Sequence, residues 1–151
     1  MAAPQADTIT QGLKTIHLRY PRMEENAKQV VEFLQGQKEV SAVFYPGLDP
    51  RFPFGGQMNG PGYMVAFTLE GGLEAGKVFQ NSLRVPTRAV SLGSVESLVS
   101  HSASTTHATV PAEEREQLGI LDGLVRLSVG IEYIGDIIKD LEAALRKVAG
   151  I

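Results

Sequence analysis

A cation stands in a run that otherwise offers only carbon to a core. Arg126 interrupts the stretch Leu124, Val125, Leu127 and Val129, and it follows the Ser91-Leu92-Gly93 turn by 35 residues. An arginine in such a run is costly to bury unless an anion pairs with it. Its planar guanidinium suits a carboxylate held by two parallel hydrogen bonds. Residue types and spacing therefore suggest a site for a small carboxylate. They also fit an internal bridge to an Asp or Glu, or an edge-strand arginine in water.

The other reactive side chains have plainer readings. His101 and His107 share a Ser/Thr-rich stretch with no third ligand at metal spacing, so each is expected to serve as a hydrogen-bonded structural residue. His17 lies in a helical stretch without a chemical partner nearby. Glu113, Glu114 and Glu116 read as a solvated helix start, and Tyr45 and Tyr63 as packing residues. Of the six lysines, Lys14, Lys28, Lys38, Lys77, Lys139 and Lys147, the last two fall on the wet side of a helix. Gly55-Gly56 and Gly71-Gly72 lack the spacing of a phosphate cradle and read as turns. No catalytic residue, cofactor ligand or metal ligand is expected in this chain.

Elements that would position Arg126 follow from periodicity. Met23, Ala27, Val30, Val31 and Leu34 recur at helical spacing, which predicts an amphipathic helix over 22–37 with Pro21 in its first turn. A helical stretch over 9–19 precedes it, with a kink or break expected at Pro21. Val40–Tyr45 reads as a strand and 46–61 as a Pro/Gly/Asp-rich loop. Tyr63–Leu69 is a strand with Tyr63, Val65, Phe67 and Leu69 on one face. A helix over Leu73–Leu83 follows, then a strand over 85–91 that ends at the Ser-Leu-Gly turn, and a short extended piece over 95–100. Pro111 opens a short helix whose acids sit near its positive end. Leu124–Val129 is the arginine strand, with Arg126 on the face opposite Val125, Leu127 and Val129. Ile134, Ile137, Ile138, Leu141, Leu145 and Val148 form the stripe of a last helix. Polar residues interleave the strands, so the fold class is α/β, of α+β-like character: an antiparallel or mixed sheet of about four strands with helices on one face.

Composition adds bounds. A net charge of −3 offers no basic field for nucleic acid or an anionic membrane. Cysteine is absent, which excludes disulfides and thiolate chemistry and agrees with a cytoplasmic protein. No apolar run approaches the roughly 20 residues that span a bilayer. Residues 1–11 lack the apolar core of a signal peptide and read as a disordered leader or a remnant of cloning; residues 12–151 read as a single domain.

Several stretches in fixed order carry a resemblance. SLGSVESL at 91–98, HSASTTH at 101–107, PAEEREQLGI at 111–120 and GLVRLSVGIE at 123–132 resemble the C-terminal domain of the Cys/Met-metabolism pyridoxal-phosphate (PLP) enzymes, the family of cystathionine γ-synthase, the cystathionine lyases, methionine γ-lyase and O-acetylhomoserine sulfhydrylase. GLKTIHLR at 12–19, EENA at 24–27 and VFYPGL at 43–48 extend it from about Gly12 to Val148. In that family Arg126 would grip the substrate's α-carboxylate. Ser91 would support the same carboxylate through its backbone, and Val90 and Leu92 would flank it. An apolar Val90 resembles the γ-lyase and sulfhydrylase branches, Thr105 and Thr106 resemble sulfhydrylases, and SVESL resembles synthases and lyases.

The resemblance implies a larger PLP-binding domain, lying outside this chain, that carries the Schiff-base lysine. PLP would be the electron sink for C–S elimination or γ-replacement on cystathionine, methionine, homocysteine or O-acylhomoserine. The chain alone is expected to be inactive and to bind no PLP. Its expected partners are a small amino-acid carboxylate, the large domain, and a second copy in a homo-oligomer. A stand-alone, non-catalytic binding or oligomerisation module derived from that family is the alternative, favoured by the leader, the Pro21 break and a shortened 46–61 loop.

Overall fold

The computed structural model describes residues 2–52 and 54–151. In chain order the elements are α1 (Ala3–Leu13), α2 (Ile16–Gln35), β1 (Val40–Phe44), β2 (Met64–Leu69), α3 (Gly72–Ser82), β3 (Thr87–Arg88), β4 (Leu98–His101), α4 (Ala112–Gln117), β5 (Leu124–Ser128) and α5 (Ile134–Val148). The strands form one sheet in the order β1-β2-β5-β4-β3. Its neighbours are antiparallel except β3 and β4, which run parallel. The sheet is therefore mixed, as the alternation of polar and apolar residues implied, with five strands where about four were expected.

One face of the sheet carries the core. Val65, Phe67 and Leu69 of β2, Val99 of β4, and Val125, Leu127 and Val129 pack against Ala27, Val30, Val31 and Leu34 of α2, Phe79 of α3, and Ile137, Leu141 and Leu145 of α5. Phe67 meets Phe79 edge-on at 5.4 Å, a favoured aromatic geometry. Alternation then sends Ala66, Arg126, Ser128 and Ser100 to the opposite face. Asp136 in the first turn of α5 and Arg146 and Lys147 in its last complement the helix dipole. The Asp140 carboxylate accepts the backbone N–H groups of Arg84 and Val85 and ties the exit from α3 to α5.

Three expectations change. The leader is not disordered: Ala3–Leu13 is helical, with no buried residue. Its Thr, Gln and Gly content hides the helix from a search for an apolar stripe. The break expected at Pro21 lies instead at Lys14-Thr15, and α2 runs through Pro21. Proline costs α2 one backbone hydrogen bond there. Burial starts just beyond it, at Met23, and continues through Leu34, so packing holds the helix together. The strand expected over 85–91 shortens to Thr87–Arg88, since Pro86 has no N–H to offer a ladder.

Candidate functional site

Arg126 sits in the central strand with small neighbours on both sides: Ala66 opposite it on β2 and Ser100 opposite it on β4. Neither directly opposite residue is bulky, and Arg126 is half-buried. Its Nη2 donates to the carbonyl of Ser91 at 3.0 Å. Among the described residues no Asp or Glu pairs with it. The internal bridge that the sequence allowed at this position is therefore not formed by the described residues. Ser91 is exposed, and its neighbours Val90 and Leu92 are 61% and 53% exposed. The four residues singled out in the sequence thus gather at one place.

The turn over Arg126 is fixed at its far end. Gly93 has φ +78°, a conformation that side chains disfavour. Its N–H donates to Oγ of the fully buried Ser128 at 3.0 Å. A Cβ at Gly93 would lie 3.0 Å from the Tyr63 hydroxyl, so the turn rests directly on that ring. Tyr63 in turn meets Tyr20 edge-on at 5.2 Å.

A cavity of about 320 Å³, lined by Gln80, Arg88, Val90, Ser100 and Thr105 among others, does not include Arg126 but reaches Ser100, its cross-strand partner. A closed polar network around the buried His101 borders it. His101 Nε2 lies 2.6 Å from the carbonyl of Asp122, so this nitrogen carries the proton. Nδ1 then accepts from the Ser104 hydroxyl at 2.8 Å, and Gln80 Nε2 donates to the same hydroxyl oxygen. Gln80 Oε1 accepts the His101 backbone N–H. Burial pushes the imidazole pKa down, while the Asp122 carbonyl and carboxylate push it up less. Gly76 permits this packing, since a Cβ there would overlap the ring. Next to it, buried Arg115 donates to the Val110 carbonyl and pairs with the Asp122 carboxylate.

Sequence reasoning missed a second buried network. Asn26 Nδ2 donates to the carbonyls of Gly130 at 3.0 Å and Glu132 at 2.9 Å. The Glu132 carboxylate accepts the Ser97 N–H and hydroxyl, and Ser97 Oγ accepts the Gly130 N–H. These contacts tie α2 to the ends of β5 and β4. The available signal was a polar residue within an apolar stripe, Asn26 between Met23 and Ala27. Ser128 was missed too, although alternation places it on the Arg126 face.

Fold and site together define an α/β domain that carries, on the sheet face opposite its core, an arginine without an acid partner among the described residues. Comparison with known proteins narrows that class. The sequence model described as Cys/Met metabolism PLP-dependent enzyme matches residues 1–146. The chain is 49% identical over 143 residues to an L-methionine gamma-lyase of Fusobacterium nucleatum subsp. polymorphum, covering 93% of this chain and 36% of that protein. It is 46% identical to an L-methionine gamma-lyase of Pseudomonas putida, covering 95% of this chain and 37% of the relative. A crystal structure of cystathionine gamma synthase from Xanthomonas oryzae pv. oryzae, in complex with aminoacrylate and cysteine, superposes with TM-score 0.82 at 43% identity, over 93% of this chain and 37% of that one. The chain belongs to the family of PLP-dependent enzymes of Cys/Met metabolism, and it spans little more than a third of the length of these relatives. The match begins at residue 1, earlier than the Gly12 start read from the sequence.

PLP is that family's cofactor, and a covalent PLP site needs an amine beside it. None of the strands carries a lysine. The six lysines lie on helices or the links beside them, and five of them are exposed. The residues of this chain do not by themselves fit the cofactor.

Proposed function

We propose that this chain is the part of a PLP-dependent sulfur amino acid enzyme that holds the substrate's α-carboxylate. Arg126 is the anchor, and Ser91 with Val90 and Leu92 frames the same site. One observation carries this reading: the Arg126 guanidinium has no acid partner among the described residues and is steered by the Ser91 carbonyl. A guanidinium has five N–H donors, so this contact leaves enough for a carboxylate held at two points. The names of the relatives, methionine gamma-lyase and cystathionine gamma synthase, favour a substrate of the methionine or cystathionine class and a C–S lyase or γ-replacement reaction; homocysteine and O-acylhomoserine belong to the same proposal through the family resemblance alone. In the whole enzyme PLP supplies the electron sink. This chain supplies orientation, which holds the substrate in one pose against the reacting groups.

The test is an NMR titration of the chain with L-methionine and with L-methioninol, which lacks the carboxylate. Methionine is expected to shift the Arg126 side-chain resonance and the backbone amides of Ser91 and Gly93, and methioninol to leave them in place; Arg126→Ala is expected to abolish the amide shifts. Equal binding of both ligands overturns the reading. The purified chain is also expected to show no visible PLP band and no borohydride-trapped lysine adduct.

Its partners on this reading are the PLP-binding remainder of the enzyme and further copies of the chain. Ile9, Leu13, Ile16 and Leu18 on α1 and α2 are about half exposed or more, apolar surface that association would cover. The same row favours the second reading, a stand-alone oligomerisation module. Light scattering of the purified chain is expected to report a dimer on either reading, and loss of methionine binding alone would leave only the second. No helix is long and apolar enough to cross a membrane, among the described residues, and a cytoplasmic location is proposed on the absence of cysteine.

A further inference from the structure

We infer that Ser128 is a positioning residue for the carboxylate site: its hydroxyl holds the Ser91-Leu92-Gly93 turn in the place where the turn fixes the Arg126 guanidinium. The inference rests on the carboxylate reading of Arg126 given above. Arg126 and Ser128 lie two residues apart on one face of β5. Ser91 and Gly93 lie two residues apart in the turn. Two hydrogen bonds of 3.0 Å join the pairs in opposite senses, Arg126 Nη2 to the Ser91 carbonyl and Gly93 N–H to Ser128 Oγ. The turn is thereby strapped across the strand at two points.

The two straps differ in strength of placement. Ser128 is fully buried, so its oxygen has one fixed position from which to take the Gly93 N–H. Arg126 is half-buried and has a long side chain with many rotamers. The fixed contact therefore sets the turn, and the turn's carbonyl then restrains the mobile guanidinium. The Tyr63 hydroxyl, against the bare Cα of Gly93, blocks the turn from sinking toward β2. A restrained arginine loses less freedom when a carboxylate arrives, which is a gain in affinity without a contact to the ligand. Ser128 touches no substrate atom in this scheme.

The experiment is the same methionine titration, carried out on the full chain with Ser128→Ala, Ser128→Thr and Arg126→Ala. Ser128→Ala is expected to weaken methionine binding about threefold to tenfold, and to speed exchange of the Arg126 Nε–H with solvent. Ser128→Thr, which keeps the oxygen, restores both. A folded Ser128→Ala chain with wild-type affinity and wild-type Nε–H exchange overturns the inference. Arg126→Ala separates the two levels: if it binds methionine as the wild type does, the carboxylate reading fails. The wild type alone supplies a further arm. Saturating methionine is expected to shift the Gly93 amide together with the Arg126 Nε–H, and a Gly93 amide that stays still while Arg126 responds overturns the coupling.

Discussion

Two arginines of this chain face opposite circumstances. Arg115 is 8% exposed, donates to the Val110 carbonyl and pairs with Asp122. Arg126 is half-buried and, among the described residues, donates only to the Ser91 carbonyl. The first is committed inside the fold: it pins the start of α4 to the approach of β5. The second has donors to spare for the proposed carboxylate. Arg115 is flanked by Glu114 and Glu116 and Arg126 by Val125 and Leu127, yet it is the acid-flanked one that is buried. What separates them is whether the described residues supply the counter-charge: Arg115 has an internal acid and belongs to the scaffold, and Arg126, without one among the described residues, is the proposed carboxylate anchor.

Removing each arginine tests this contrast most directly. Arg115→Ala strands the Val110 carbonyl and the Asp122 carboxylate and is expected to cost about 2–3 kcal/mol. Asp122 is half exposed, with 47% of its side chain accessible, so its charge returns partly to water and the loss stays below that of a fully buried pair. The melting midpoint should fall by roughly 6–10 °C in a calorimetric scan.

A pH series probes the scaffold side through His101, which shares the Asp122 residue with Arg115. Burial holds this imidazole below its ordinary value of 6.5, so the unfolded chain binds the proton more readily than the folded one. The stability it contributes is complete above that ordinary value and is lost as pH falls through the depressed folded value. Midpoints measured from about pH 8 to about pH 5 should fall toward acid, and His101→Gln should flatten the slope in this window. An unchanged slope would remove His101 from the scaffold.

Arg126→Ala is expected to cost less than about 1 kcal/mol, one solvent-accessible hydrogen bond, with a midpoint within about 3 °C of the wild type. A drop as large as that of Arg115→Ala would erase the contrast and make Arg126 a scaffold residue. The smallest change is Arg126→Lys. It keeps the charge and loses the planar fork, so the melt should stay near that of the wild type while methionine binds more weakly than to the wild type and more tightly than to Arg126→Ala.

Much of the frame was readable from the chain because the information is local. The stripe of α5, the alternation of β2 and β5 and the start of α4 after Pro111 lie where the residues indicate. The nearness of Arg126 to Ser91 was expected from the family resemblance and its sheet face from alternation, but its hydrogen bond to the Ser91 carbonyl was not. Other parts depend on partners far along the chain. The turn after Arg88, which lies between the parallel strands β3 and β4, is held by a serine 35 residues beyond Gly93. His101 offers no sequence clue to its partner, since its Nε2 binds a backbone carbonyl. Helix α1 has no buried residue and so leaves no periodic signature.

The strand order also dictates when the sheet can close. β5 lies between β2 and β4, yet it is the last strand in the chain. A ribosome delivers residues in sequence, so β1 and β2 emerge as a hairpin-like pair whose β2 edge still lacks its partner, and β3 and β4 emerge as a second pair whose β4 edge does too. Neither edge gains its partner until residues 124–128 have left the exit tunnel. Until then both halves present unpaired backbone to whatever else is nearby. The strand that carries the site is thus also the keystone of assembly: a nascent chain halted just before Leu124 holds four of its five strands and none of the joints between the two halves.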